Sequence, residues 1–179
     1  MRKFLERLQR ARFTPRFSTY ALDNKDNVAE HSWLVTAITL LLVKLVTDRG
    51  QDVDQGKALA FAAMHDYEET ILGDVIAGTK QHMEEQYQRI AEEKVYATMV
   101  SIPSRDKGSI YGSWRWAKHI TVEGTIVSYA DMLATKAAVR SGLDAKQLGE
   151  KIDEQIHLQL DMEKNAAIFE AVKEVFYSL

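Results

Sequence analysis

Apolar residues recur along this chain at intervals of three and four, with little of the alternation that marks half-buried strands, so the pattern predicts helices throughout. Phe4, Leu5, Leu8 and Phe13 give a short first helix, after which Pro15 and the polar run LDNKDN make an irregular connection of about a dozen residues. Asn27 is placed to cap a helix from Val28 to Arg49, with Glu30 at the capping-box position and Gly50 as its stop. Asp52 or Asp54 opens the next helix, which carries Leu59, Phe61, Ala62 and Met64 up to a His65-Asp66 doublet; Gly73-Asp74 and Gly78 then mark a turn. A polar helix follows from near Gln81 to Val100 and ends at Ile102-Pro103. The stretch SRDKGSIYGSWRWAKHI is the least readable, because Gly108 and Gly112 break its period. A helix from Thr121 to Ser141 stops at Gly142, and Asp144 opens a long C-terminal pattern through Leu179. With no repeat and no flexible linker between these pieces, the expectation is an all-α chain folded as one helical domain over residues 1–179.

Composition narrows the class. A chain of 179 residues, 46% hydrophobic and 27% charged, is long enough to bury a core without metal or disulfide support. The lack of cysteine excludes a disulfide framework, a thiolate zinc site and a cysteine nucleophile. A net charge of −3 gives no electrostatic reason to expect nucleic acid as a partner. The N-terminal MRKFLERLQRARF is basic and amphipathic but lacks the features of a signal peptide. The apolar run from Trp33 to Val46 is interrupted by Thr36, Thr39 and Lys44 and reads as too polar and short to span a bilayer. The expectation is a cytoplasmic protein with neither nucleic acid nor membrane as partner.

Chemistry enters with the doublet. His65-Asp66 closes an apolar helix, His31 sits upstream in NVAEHS, and Asp131 lies downstream in SYADMLATKAA. Carboxylates and imidazoles in such apolar settings are costly to bury unless paired or bound to a cation. Two imidazoles and two carboxylates suit a divalent ion (Mn, Co, Fe, Ni or Zn) and leave octahedral positions for water and substrate. Each has a plainer reading, and a lone histidine such as His31 is more often a hydrogen-bonded core residue. Adjacent helical residues point about 100° apart, so one ion can receive His65 and Asp66 together only near a helix end or bend. Glu69 lies three residues past Asp66 on the same helical face. Only one of Glu68 and Glu69 can face a metal at this spacing, and spacing alone leaves the choice even against a solvated acidic pair. Asp74 is either a turn former or a second carboxylate able to protonate a leaving oxygen or hold a substrate hydroxyl. Arg16 and Lys80 are cations placed to balance phosphate charge, or ordinary surface charges.

These residues in this order resemble the HD-domain phosphohydrolases, whose pattern is H…HD…D on a helical core. Arg16-Phe17 ahead of NVAEHS, then MHDYEETILGD with a following TK, then YADMLATKAA, resemble the bacterial 5′-deoxynucleotidases of the YfbR kind from about Phe4 to Ser141. The resemblance implies that His31, His65, Asp66 and Asp131 are the metal ligands, with Mg added to the candidate ions. It implies that Glu69 orients the attacking water, that Asp74 assists near the leaving group and sugar, and that Arg16-Phe17 contacts the nucleotide. The family has tryptophan where Phe17 stands, and a phenyl ring is smaller and lacks the indole donor. The family also has prolines within the stretch that reads VIAGTK here.

What the resemblance implies is a metal-dependent 5′-deoxynucleotidase that releases phosphate from deoxynucleoside monophosphates. The alternative is a triphosphohydrolase like the small phage dATPases of the DatZ type, and a more distant one is a non-catalytic nucleotide-binding module. By the same analogy the protein is a dimer or higher homo-oligomer, with Ile152, Ile156, Leu160, Met162 and Ile168 as one candidate surface, although such a stripe is more often simply core packing. The stretch GDVIAGTK is no P-loop, since its glycine spacing is wrong.

Overall fold

A computed structural model describes residues 1–75, 77–100, 102–117 and 121–179. Helices α1 (Arg2–Arg10), α2 (Val28–Asp48), α3 (Gln55–Met64), α4 (Glu69–Leu72) and α5 (Ala77–His82) are followed by α6 (Glu84–Met99) and α7 (Ser104–Trp116). The last three are α8 (Val122–Ala138), α9 (Ala145–Met162) and α10 (Ala166–Phe176). Among the described residues there is no strand, only isolated bridges at Pro15–Asn27 and Leu22–Gly142, and the fold is all-α.

Local chemistry sets the helix starts. The Asn27 side chain accepts from the amides of Ala29 and Glu30 at 3.0 and 3.1 Å, and Glu30 accepts from the Asn27 amide at 3.2 Å, a complete capping box. Such a cap is worth about 1 kcal/mol. Asp54 caps α3 through the Lys57 amide, and Asn165 caps α10 through Ala167 and Ile168. That last cap divides the expected single C-terminal pattern into two helices. Asp144 precedes α9 but does not cap it; its carboxylate accepts from the Ala21 amide at 2.7 Å. The helix expected to reach Ser141 ends at Ala138. The polar helix starts at Glu84, and Gly78 falls within the short α5 rather than a turn.

Two buried clusters organise the packing. The larger gathers Val35, Leu42 and Val46 of α2, Ala58 and Phe61 of α3, Ile126, Ala130 and Leu133 of α8, and the inner faces of α9 and α10. The smaller holds Phe4, Met64, Tyr67, Ala91, Val95, Met99, Ile102 and Trp114. The doublet lies between them, at the end of α3. The whole of α2, 21 residues and longer than the Trp33–Val46 run, is long and apolar enough by length and composition alone to cross a membrane, a test that buried core helices also pass. In the fold it is the central helix, packed against α3, α8 and α10. Gly108 and Gly112 sit inside α7, where each glycine costs about 1 kcal/mol of helix propensity. Packing of α7 on α3 and α6, with Trp114 buried, overrides that cost. Of the two readings of the C-terminal stripe, core packing is the one the structure shows: Ile152, Ile156, Leu160 and Ile168 are core residues, and of the five only Met162 is exposed.

The connection from Thr14 to Asn27 is pinned at two places. Arg16 donates its amide to Asp26 and Val28 to Thr14, closing its base. Its far side meets Gly142, where the Asp23 amide donates to Ser141 and the Asp144 amide to Ala21. Gly142 has φ +123, and a Cβ there would fall 2.4 Å from the Ala21 carbonyl oxygen, so only glycine fits this crossing.

Candidate active site and metal centre

The end of α3 answers the geometric difficulty posed by adjacent ligands. Past Met64 the backbone tightens to i→i+3 bonds, Tyr67 to Met64 and Glu69 to Asp66, each 3.0 Å. Side chains three apart eclipse in such turns, which sets Asp66 and Glu69 on one side. His65 Nε2 and Asp66 Oδ2 come within 3.1 Å of each other. His31 from α2 and Asp131 from α8 meet them: His31 Nε2 is 2.9 Å from Asp131 Oδ1 and 3.4 Å from His65 Nε2. One ligand atom from each of the four lies within 4.8 Å of every other.

The protonation logic favours a cation. His65 Nδ1 is 2.7 Å from the Ala62 carbonyl, which can only accept, so Nδ1 carries the proton and Nε2 turns a lone pair to the cluster. Two imidazole nitrogens facing each other at 3.4 Å between two carboxylates need a proton or a metal ion between them. The donor set of two nitrogens and two oxygens fits a divalent transition ion. His31 Nδ1 is buried without a hydrogen-bond partner, with Asp26 Oδ2 at 3.9 Å. Burial opposes ionisation of Asp131, and so does Asp66, but the hydrogen bond and charge of His31 and the charge of His65 hold its carboxyl well below the usual range.

Around this cluster stand the remaining charges. Arg16 Nη1 is 2.9 Å from Asp66 Oδ2 and 3.8 Å from Glu69 Oε2. Lys80 Nζ is 2.7 Å from Glu69 Oε1 and 4.0 Å from Glu68 Oε1. Glu69 is 3% exposed; burial and the Asp66 charge push its pKa up to about 8 against the pull of Lys80 and Arg16. Its Oε2 has no hydrogen-bond partner. Glu68 is not solvated: it is 5% exposed, and Trp114 Nε1 donates to its Oε2 at 2.7 Å. Asp66, Glu68 and Glu69 thus form a second close acidic group, and the reading of the two glutamates as a solvated pair is overturned by their burial.

Asp74 accepts the Phe17 amide at 2.8 Å. That bond helps hold Phe17 at φ +54, a conformation unusual for a bulky residue and one that marks functional sites. A cavity of about 260 Å³ opens on the cluster. Arg16, Asp66, Glu69, Asp74, Lys80 and Asp131 supply its charged lining, and Phe17, Tyr20, Met132, Leu148 and Ile152 its apolar lining, with the Arg16 guanidinium 5.3 Å from the centre of the Phe17 ring. All nine residues singled out from sequence lie at the cluster or the cavity: seven line the cavity, and His31 and His65 are buried members of the cluster that do not. The altered loop VIAGTK includes Ile76, which lies outside the described residues.

Sequence reasoning missed Tyr20, Val75, Met132, Thr135, Leu148, Ile152 and Gln155 as parts of the lining. Thr135 is one helical turn past Asp131, and Leu148, Ile152 and Gln155 share one face of α9, so periodicity anchored on Asp131 would have reached the first but not the others.

Comparison with known proteins agrees with this picture. No curated protein matches the chain. Among solved structures, an HD-domain phosphohydrolase from Listeria innocua superposes with a TM-score of 0.82 at 18% identity, over 97% of this chain and 85% of that one. The cyanophage S-2L HD phosphohydrolase DatZ, solved with dA and one catalytic Zn²⁺, gives 0.74 at 17% identity over 97% of this chain and 94% of its own. A conserved hypothetical protein from Pyrococcus furiosus gives 0.65 at 22% identity over 99% and 98%. At these identities the likeness is one of fold. The sequence profile of the YfbR-like 5′-deoxynucleotidases matches residues 3–174, and with HD-domain neighbours in structure the chain belongs to that family of phosphohydrolases.

Proposed function

We propose that this protein is a metal-dependent 5′-deoxynucleotidase, working as one HD-type domain, that hydrolyses deoxynucleoside 5′-monophosphates to the nucleoside and phosphate. The observation that carries the reading is one cavity at the His31, His65, Asp66 and Asp131 cluster whose lining combines acidic and cationic side chains with apolar ones. Among the described lining residues the cations are Arg16 and Lys80. Two cations match a single phosphoryl dianion better than the four charges of a triphosphate. DatZ, with dA and Zn²⁺ in the same fold, supports a nucleoside and a transition metal here.

A divalent ion held by His31, His65, Asp66 and Asp131 would, when bound, supply Lewis acidity toward a phosphoryl oxygen and lower the pKa of a nearby water. Glu69 accepts that water's proton on Oε2, the oxygen with no other hydrogen bond, while Lys80 keeps Oε1 fixed. The water's oxygen bonds to phosphorus as the P–O5′ bond breaks in line, and the departing 5′-oxygen takes up, by way of solvent water, the proton that Glu69 accepted, which restores Glu69. Arg16 and Lys80 face the charge that builds on the equatorial oxygens. Asp74 holds the Phe17 backbone and stands at the cavity wall, within reach of the sugar and the leaving oxygen. Phe17 walls the sugar edge and leaves no room for a 2′-hydroxyl.

The test is phosphate release from deoxy- and ribonucleoside mono- and triphosphates with Mn²⁺, Co²⁺, Zn²⁺ or Mg²⁺. Deoxynucleoside monophosphates are expected to give the highest kcat/KM. Faster cleavage of dATP than of dAMP replaces this reading with triphosphate hydrolysis. No release from any nucleotide with any metal leaves a binding module instead.

A further inference from the structure

The mechanism above leaves the buried carboxylate of Glu68 without a task. Glu68 stands beside the catalytic Glu69 with a side chain only 7% exposed, and burying a second negative charge there is unfavourable unless something fixes it. Two contacts do. Trp114, itself buried, donates its indole N–H to Oε2 at 2.7 Å, and Oε1 lies 4.0 Å from Lys80 Nζ. Lys80 in turn is 2.7 Å from Glu69 Oε1 and lies over the Tyr87 ring at 5.4 Å. A chain of contacts therefore runs from α7 through Trp114, Glu68 and Lys80 to Glu69.

We propose that Trp114 and Glu68 are positioning residues: they hold the Lys80 ammonium between two carboxylates, so that Lys80 fixes one oxygen of Glu69 while still facing the phosphate. This assignment rests on the hydrolase reading of the same site. Lys80 already touches Glu69 at 2.7 Å, so with the Glu68 charge gone that single pair would hold the whole ammonium charge and engage the base more tightly. With neither carboxylate charge, Lys80 would turn toward the open cavity. Glu68 sets a balance between the two, and the indole keeps Glu68 from swinging away. The pairing also gives the otherwise unreadable α7 a part in the chemistry, since Trp114 reaches across 46 positions of sequence to make it.

The test is a double-mutant cycle on the full protein, with dAMP as substrate and saturating Mn²⁺. Glu68→Gln keeps the size and the hydrogen bond to Trp114 but removes the charge that faces Lys80. It is expected to lower kcat about tenfold, with KM, bound metal and melting temperature nearly unchanged. In a Lys80→Met background the same change is expected to cost less than about twofold, since residues acting through one another are not additive. Trp114→Phe keeps the ring, removes the donor, and is expected to lower kcat about threefold with the same dependence on Lys80. It decides the matter where Glu68→Gln proves unstable. Full kcat in Glu68→Gln, or the same loss with and without Lys80, overturns the proposal. A wild-type protein inert on dAMP and every other nucleotide defeats the hydrolase reading instead, while an active wild type with a silent Glu68→Gln defeats only this one.

Discussion

The charged and the apolar parts of the cavity lining, its two ends in chemical terms, are held by different forces. At the metal end, Arg16, Asp66, Glu69, Lys80 and the two histidines fix one another through ion pairs and hydrogen bonds of 2.7–3.4 Å, nearly all out of water. At the other end Phe17, Tyr20, Met132, Leu148 and Ile152 offer area and shape. Removing one member of a buried charge network strands its partners, whereas trimming an apolar wall loses contacts in proportion to the atoms removed. The first end should therefore govern kcat steeply and the second KM gently.

The largest test of that contrast is removal of the ion. His65→Ala and Asp66→Ala are each expected to lose the roughly one divalent ion bound per chain and to abolish turnover. Elemental analysis alongside activity checks it, and full occupancy in both variants would make the doublet structural. Next, Glu69→Gln should cut kcat by about 10²–10⁴-fold with the ion retained, the usual cost of a positioned general base. A loss carried mainly in KM would move Glu69 from the chemistry to substrate binding.

The difference between the ends also accounts for what could be read from sequence. His31, His65, Asp66 and Asp131 stood out because polar side chains cost energy in apolar helices and are seldom placed there by packing alone. Leu148 and Ile152 did not, because an apolar residue on a helix looks the same whether it lines a cavity or fills a core. Helix α2 was legible from Asn27 and Glu30, whose capping bonds are local. Helix α7 was not, since Gly108 and Gly112 argue against a helix that only packing on α3 and α6 sustains. Glu68 was misjudged for the same reason: spacing along the chain says nothing about an indole delivered from α7.

A third prediction follows from Glu69 in the metal-free protein. Burial, then the Asp66 charge, raise its pKa to about 8, so between pH ~4.5 and ~8 the folded chain holds a proton that the unfolded chain has released. Stability of the metal-free protein should accordingly fall as pH rises through that window, by at most about 1.4 kcal/mol per unit, and Glu69→Gln should flatten the slope. Urea unfolding with a chelator at pH 5, 6, 7 and 8 measures it. A stability that is flat or rises with pH in the wild type would mean the acidic end is better compensated than its geometry indicates.

At the apolar end Phe17→Ala should lower the preference for deoxy- over ribonucleotides about tenfold in kcat/KM, because a steric wall discriminates only while it is rigid. The strained φ of +54 and the Asp74 bond are what make it rigid. Equal ratios before and after the change would place the sugar gate elsewhere.

The smallest effect, and the one that tests the contrast most finely, is expected from Ile152→Val. Ile152 belongs to α9, is 6% exposed, and both lines the cavity and packs in the larger core cluster. Removing one methylene gives up about 0.8 kcal/mol of apolar contact, so KM should rise by about fourfold if the whole loss falls on bound nucleoside. The contact is the same in ground and transition states, so kcat should not move. Part of the methylene's contribution also supports the core, where Ile→Val costs about 0.5–1.5 kcal/mol of stability, so a modest drop in melting temperature should accompany it. Steady-state kinetics on one deoxynucleotide resolve the two parameters. A fall in kcat at constant KM would mean that α9 acts on the reacting phosphate through the cluster, and that the two ends of the cavity are mechanically one.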